Sequence, residues 1–320
     1  MEEIRKINIK DKEYPKLLKE IPDPPETLYV KGKFIPATPK GRASLSKAER
    51  DELCFGVVGT RRFSSYGKQV ALEITGDLAE AGLTIVSGLA PGIDTFAHQA
   101  TVERWKPARN ASATTSQMLA DAGGRTIAVL GTGVDEKSIY PQSNVKLAKK
   151  IIETGGCLVS EYSPGTPGLK QNFPQRNRVI SGLSIGVLVI EAKQKSGALI
   201  TANYAFQQKR KVFAIPGSIY SSNSRGPHIL IKRGAKLVEN AQDILRELNL
   251  PGREKNKELK RETREEEMIL HALRGGGLDI DKIIQKTKLS PQTVNSLLSI
   301  LEVKGKIRNL GGGIFSLKRS

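Results

Sequence analysis

Phe173-Pro174-Gln175-Arg176-Asn177-Arg178, with Lys170 just upstream, places a planar ring, two guanidinium forks and an amide in one short run. A ring face can stack on a nucleobase, and each fork can hold phosphate oxygens through paired, charge-assisted hydrogen bonds. The same residues would also suit a solvated loop whose arginines pair with carboxylates, so the run alone does not decide. A second run bears on the choice. Gly59-Thr60-Arg61-Arg62 directly follows an apolar stretch that reads as a strand, and Ser64 or Ser65 then opens a helix. Glycine there permits close approach to the backbone, the helix start offers free N–H groups, and arginine adds charge. The second glycine of GxGxxG is missing and no acidic residue is suitably placed after the next strand, so a dinucleotide is not favoured. GxxxxGK[ST] is absent as well, which removes a P-loop. What remains is an anion site or a tight βα turn without a ligand; charge and position together favour the anion.

Other turns repeat the pattern. Ser87-Gly88-Leu89-Ala90-Pro91-Gly92-Ile93-Asp94 follows the second strand, and Asp94 and His98 stand four apart on a helix. Residues so spaced can touch. An acid–base pair is conceivable there, but a helix-start Asp bonded to backbone and a packed His is the favoured reading. Gly131-Thr132-Gly133 follows the third strand, and Ser196-Gly197-Ala198-Leu199-Ile200-Thr201 opens a helix with Ser196 as cap. Four glycine-bearing turns on one sheet edge, flanked by Arg61, Lys170, Arg176 and Arg178, form a polar, basic rim. Catalysis has less support: Ser196 lacks a GxSxG elbow, and Glu161 and Glu191 have no visible carboxylate partner. His98, His228 and His271 are far apart and no Cys/His cluster has ligand spacing. Neither a metal nor another cofactor is expected.

Those turns need a frame. Short apolar runs at 54–58, 83–87, 126–130, 157–160, 185–190 and 211–215 alternate with helical patterns at about 65–81, 91–102, 143–153, 174–181 and 198–209. Strands without polar alternation are buried on both faces, which predicts an α/β fold: a doubly wound, mostly parallel Rossmann-like sheet, with ligands at the strands' carboxyl ends. Residues 1–50 are polar and proline-punctuated, enough for a short helix and an extended lead-in but not for a core. Within the 51–250 domain, 103–124 reads as an insertion with Trp105 near its start. Residues 251–267 form a charged linker, and 268–320 suggests three helices (Met268–Leu273, Ile280–Thr287, Pro291–Lys304) and a hairpin, the layout of a winged helix. Ser290-Pro291 is a good helix start.

Across 320 residues, 51 basic side chains exceed 33 acidic ones, a net charge of +18. Such an excess points to a polyanionic partner through counterion release. Cys54 and Cys157 each begin an apolar run and read as buried thiols in a reducing cytoplasm. The N-terminus has no apolar signal segment and no apolar stretch approaches a membrane span, so neither secretion nor a membrane is expected.

Taken together, VGTRRFSSYG (58–67), SGLAPGIDTFAH (87–98), TIAVLGTGVD (126–135), SEYSPGT (160–166), FPQRNRVISGLS (173–184), IEAKQKSGALITA (190–202) and VFAIPG (212–217) closely resemble the DprA/Smf family of bacterial DNA-processing proteins. The YPKLLKEIPDPP lead-in and the winged helix fit too. The resemblance implies a non-enzymatic protein that binds and protects single-stranded DNA, helps load the RecA recombinase during transformation, and dimerises through an extended Rossmann-like domain. Carried over by motif, the DNA site comprises Gly59, Thr60, Arg61, Lys170, Phe173, Arg176 and Arg178, supported by Arg62, Asn177, Ser196, Gly197 and Thr201. Arg61 and the turn amides would grip a phosphate, Lys170 would add a point charge, Phe173 would stack, and Asn177 would pin its own run. The 103–124 insertion, Pro91 where relatives carry a larger or basic residue, and the lack of the small helical domain that some members place first depart from the pattern. The third helix of the winged unit has no Arg or Lys in its first two turns, which points away from sequence-specific duplex readout. A nucleotide-processing enzyme using the same strand edge, and a transcription regulator led by the winged helix, are the competing expectations.

Overall fold

The structure is a computed structural model that describes residues 3–34, 53–104, 125–250, 263–303, 306–311 and 313–317. Two compact units divide the chain, Met1–Gly252 and Arg253–Ser320.

In the first unit a nine-stranded sheet runs β1 (Ile4–Asn8), β2 (Thr27–Gly32), β6 (Cys157–Ser160), β5 (Thr126–Leu130), β4 (Thr84–Ser87), β3 (Cys54–Val58), β7 (Gly186–Val189), β8 (Lys211–Ala214), β9 (Lys236–Leu237). The strands from β3 onward pair in parallel, while β1 pairs antiparallel with β2 and β2 antiparallel with β6. The apolar runs become strands because both sheet faces are covered: Cys54 and Val58 join one core layer, Phe55 and Val57 the other. Cys54 and Cys157 are both buried thiols, and burial pushes the Cys54 thiol up to about 12.

The helices that bear on the site are α1 (Lys16–Lys19), α2 (Ser65–Glu80), α3 (Ile93–Arg104), α4 (Val145–Glu153), α5 (Asn172–Leu183), α6 (Gly197–Gln207) and α7 (Arg225–Lys232). Strand order reverses at β3: β4 and β5 lie on one side of it, β7 and β8 on the other. Crevices at such a reversal are where doubly wound sheets hold ligands. The FPQRNR run is the start of α5, the helix that crosses from β6 to β7.

Three expectations change. The lead-in supplies two strands as well as the short helix α1, and its Ile7, Leu18, Leu28 and Val30 are buried in the main core. The insertion begins later than read, because Glu103 and Arg104 complete α3, where Arg104 donates to the Leu72 carbonyl at 2.9 Å and pairs with Glu80 at 3.1 Å. The remainder of that insertion, with Trp105, lies outside the described residues. The charged stretch also yields to helix before 268: a capping box between Thr263 and Glu266 starts a helix at Arg264–Ala272. That box satisfies two end N–H groups reciprocally.

The second unit continues with helices Ile280–Thr287 and Pro291–Val303 and a three-stranded sheet of Leu278–Asp279, Ile314–Leu317 and Ile307–Asn309. Its core gathers Ile269, Ile283, Val294, Leu298, Leu301 and Phe315.

Arg178 fastens the lead-in to the sheet, reaching Asp23 at 2.8 Å and Glu161 at 2.7 Å. Arg178→Ala leaves the Glu161 carboxylate, 16% exposed, without its cation. Urea unfolding is expected to show a loss of about 3 kcal/mol, the order seen when one partner of a buried pair is removed. Asp23→Ala, which removes a carboxylate 80% exposed, should cost less than about 1 kcal/mol. Equal losses would mean that the two contacts are equivalent.

Candidate nucleic-acid interface

A cleft of about 850 Å³ opens at the carboxyl ends of β3 and β7, where the strand order reverses. Gly59, Thr60, Arg61, Arg62, Lys170, Phe173, Arg176, Asn177, Ser196, Gly197 and Thr201 all line it. Arg178 does not. It lies two residues beyond Arg176 on α5, about 200° further round the helix, and is committed to Asp23 and Glu161. The assignment of Arg178 to this site is therefore corrected to a structural clasp.

The turn after β3 is built by its own side chains. Thr60 is buried, and its hydroxyl accepts from the Arg62 N–H at 3.1 Å, which folds the turn. Gly59 carries no side chain because a Cβ there would come within 2.6 Å of Ile93. Ser64 then caps α2, accepting from the Gly67 N–H at 3.1 Å. Arg61 and Arg62 emerge exposed.

Arg176 differs from the free phosphate fork expected of it. It is 4% exposed and donates to the carbonyls of Gly88, at 2.6 Å, and Val129. Gly88 must be glycine for this, since a Cβ would lie 2.6 Å from the guanidinium. Burial lowers the Arg176 pKa to about 10, opposed by the Asp94 carboxylate and reinforced by the Arg61 charge. The group remains a cation at neutral pH, forming the cleft floor rather than a mobile grip. Burial pushes the Asp94 carboxyl upward, against the Arg176 charge and the amides of Gly88, Gly59 and Ala90; the Gly88 N–H donates to it at 3.1 Å. Asn177 donates to the Gly197 carbonyl at 3.2 Å and accepts from Arg176 Nε at 3.3 Å, joining α5 to the start of α6. Ser196 caps α6 by accepting from the Ala198 N–H at 3.3 Å.

Above this floor the side chains are free. The Phe173 ring is half-buried and sits 5.6 Å from the Tyr140 ring and 5.8 Å from the Arg61 guanidinium carbon. Arg61 and Lys170 are exposed, and so are Lys193 and Lys195, two lining lysines that the sequence analysis passed over. None of these four pairs with a carboxylate among the described residues. Lys193 and Lys195 belong to the β7–α6 connection and read as ordinary surface lysines until the sheet order sets β7 beside β3. Tyr140 was noted only as closing its loop, and its ring contact with Phe173 needed the fold.

Asp94 and His98 do not form a pair. Thr126 Oγ1 donates to the Ile85 carbonyl at 2.8 Å and therefore accepts from His98 Nδ1 at 2.7 Å, fixing the neutral Nδ1–H tautomer. Nε2 is buried with no partner among the described residues. Among the described residues no group of His, Cys, Asp and Glu could hold a metal, and no helix is long and apolar enough to cross a membrane.

A doubly wound sheet with a cationic, aromatic cleft at its switch point, followed by a winged helix, defines a class of Rossmann-like proteins. Comparison with known proteins narrows that class. Residues 5–249 match the family of DNA recombination-mediator protein A, and residues 253–313 match the DprA winged helix domain. The chain is 42% identical over 245 residues to the DNA processing protein DprA of Bacillus subtilis, covering 77% of this chain and 71% of that one. It is 38% identical over 274 residues to Protein Smf of Escherichia coli, covering 82% and 68%. The crystal structure of DprA from Streptococcus pneumoniae superposes with a TM-score of 0.60 at 39% identity, covering 77% of this chain and 74% of that one. DNA processing protein A from Helicobacter pylori, described for its single-stranded DNA binding mode, gives 0.58 at 26% identity, covering 78% and 98%. The chain belongs to the DprA/Smf family.

Two outcomes follow from the cleft floor. Arg176→Leu strands the buried Asp94 charge and should cost about 3–5 kcal/mol in unfolding experiments. His98, its pKa lowered to about 3 first by burial and then by the Arg176 charge, binds a proton more readily when unfolded. Its contribution to stability is complete above about pH 6.5 and is lost as pH falls toward 3, at up to about 1.4 kcal/mol per pH unit. Thermal melts across that window should fall more steeply for wild type than for His98→Asn; parallel curves would reject this.

Proposed function

We propose that the cleft binds single-stranded DNA without reading its sequence. The observation that carries this is the exposed set Arg61, Lys170, Lys193 and Lys195 around the half-buried Phe173 ring, none of it paired with a carboxylate among the described residues. Cations of this kind contact the phosphate chain, and a ring accepts any base face, so affinity arises without base-specific hydrogen bonds. The net charge of +18 brings a polyanion to the cleft. The Helicobacter pylori relative is described as binding single-stranded DNA. As the family resemblance implies, this chain protects the bound strand in the cytoplasm, passes it to the RecA recombinase and works as a homodimer through the Rossmann-like domain.

The reading is non-catalytic. Among the described residues Asp94 is the one carboxylate lining the cleft, and it is held by Arg176 and backbone amides. Glu161 pairs with Arg178 and is not among the residues lining the cleft. A general base has to reach its proton, and neither group is free to do so.

Anisotropy titrations should show oligo-dT bound more tightly than a duplex of equal length. The double variant Arg61→Ala/Lys170→Ala should bind at least about tenfold more weakly at moderate salt, with the log–log salt slope reduced by about 1.4 for two lost phosphate contacts. Phe173→Ala should weaken binding by about 1–3 kcal/mol with little change in slope. Melting temperatures of the charge variant should match wild type. Equal affinity for single strand and duplex, or a flat salt dependence, sinks the proposal.

A further inference from the structure

The loop between β8 and α7 displays two side chains that the cleft does not use. Ile219 is 74% exposed and Tyr220 93%. The loop beneath them is tightly bonded. The Ser221 N–H donates to the Ser218 carbonyl at 3.0 Å, the Tyr220 N–H to Ser218 Oγ at 3.3 Å, and the Ser224 N–H to the Ser221 carbonyl at 3.2 Å.

It is also fastened to the rim of the cleft. Tyr66 Oη donates to the Pro216 carbonyl at 2.9 Å, and Asn223 Nδ2 donates to the Arg62 carbonyl at 2.9 Å. Asn223 Nδ2 also lies 3.3 Å from Glu191 Oε2. Glu191, itself buried, accepts from the Ser64 N–H at 2.9 Å and the Ser64 hydroxyl at 2.6 Å. One buried carboxylate thus holds both the arginine turn and the loop that carries Tyr220. An exposed aromatic side chain held on a rigid turn adds nothing to the core. It loses little freedom on contact, having two torsions to fix, and presents a face for a flat partner.

We propose that Tyr220, with Ile219 beside it, is a second stacking platform: a strand leaving the cleft past Arg62 lays a base on the Tyr220 ring. The inference rests on the reading that the cleft holds single-stranded DNA. Continuity selects this occupant, because Arg62 lines the cleft and its carbonyl touches the loop through Asn223. Glu191 and Asn223 are then positioning residues that set the platform's place relative to the cations.

The test compares the full chain with Tyr220→Ala and Tyr220→Trp on oligo-dT of about six and about twenty nucleotides, lengths near the lower and upper range of single-strand sites. Tyr220→Ala is expected to weaken the long oligonucleotide about tenfold and leave the short one unchanged, with Tyr220→Trp restoring affinity. The salt slope should not move, since no phosphate contact is lost. If wild type binds neither length, the cleft reading fails and this proposal fails with it. If wild type binds both and Tyr220→Ala matches it at both lengths, the platform alone is overturned. A change in sedimentation of the DNA-free protein on Tyr220→Ala would assign the loop to contact between copies of the chain and would also overturn it.

Discussion

The Arg176 guanidinium donates to the carbonyls of Gly88 and Val129 while facing the buried Asp94 carboxylate. In doing so it joins the ends of β4 and β5 to α5 and to the start of α3. A buried charge of this kind is tolerated only when its donors are satisfied and an opposite charge is close. The constraint fixes glycine at 88, orders the turn around it and sets where α5 begins. It also makes the cleft positive from below. The Arg61 charge lies near enough to disfavour that of Arg176, and among the described residues Asp94 is the carboxylate lining the cleft that opposes them. An anion entering between them relieves that repulsion, so the floor that stabilises the fold also favours an anionic ligand.

The FPQRNR run divides its work by helical geometry. Successive residues of a helix turn by about 100°, so positions i, i+3, i+4 and i+7 share a face. Phe173, Arg176, Asn177 and Ile180 follow that spacing and all line the cleft. Arg178 cannot join them. Its charge is used instead to hold the lead-in, through Asp23, against the Glu161 segment that follows β6. The helix over 174–181 was legible in the sequence, and its periodicity already separates the two arginines. Assigning both to one pocket treated the run as an extended loop.

Much else was legible for a clear physical reason. Strands buried on both faces are apolar throughout, so β3 to β8 stand out from any surface segment. Strands with a solvent face do not: β1, IRKIN, has one fully buried position, and the two residues of β9 are both exposed. Edge strands carrying lysine and arginine avoid unwanted pairing, and that property conceals them from hydrophobic pattern. Lys193 and Lys195 escaped notice for a related reason. A loop lysine is ordinary surface until the sheet order places its loop beside Gly59. The distinction between buried Arg176 and exposed Arg61 is a matter of depth alone, which residue type does not encode.

That difference in depth separates the fold's chemistry into two sets of cations. Arg176 and Arg178 are buried or nearly so, hydrogen-bonded to fixed acceptors, and bear on stability; the low dielectric around them makes each contact strong and each loss costly. Arg61, Lys170, Lys193 and Lys195 lie in water, where their mutual repulsion is screened and they add little to folding. A flexible phosphate chain is well matched to the second set. It presents charge at short intervals and adapts to long side chains, and its bases can lie on Phe173 whatever their identity. Had the cleft offered satisfied amides or carboxylates aimed at base edges, selectivity would be expected. Asp94 and Asn177 are instead bonded to the protein itself, and the exposed side chains are long cations beside a ring, which on the proposed reading suits a strand of any sequence and its release as salt or a competing partner takes over the phosphates.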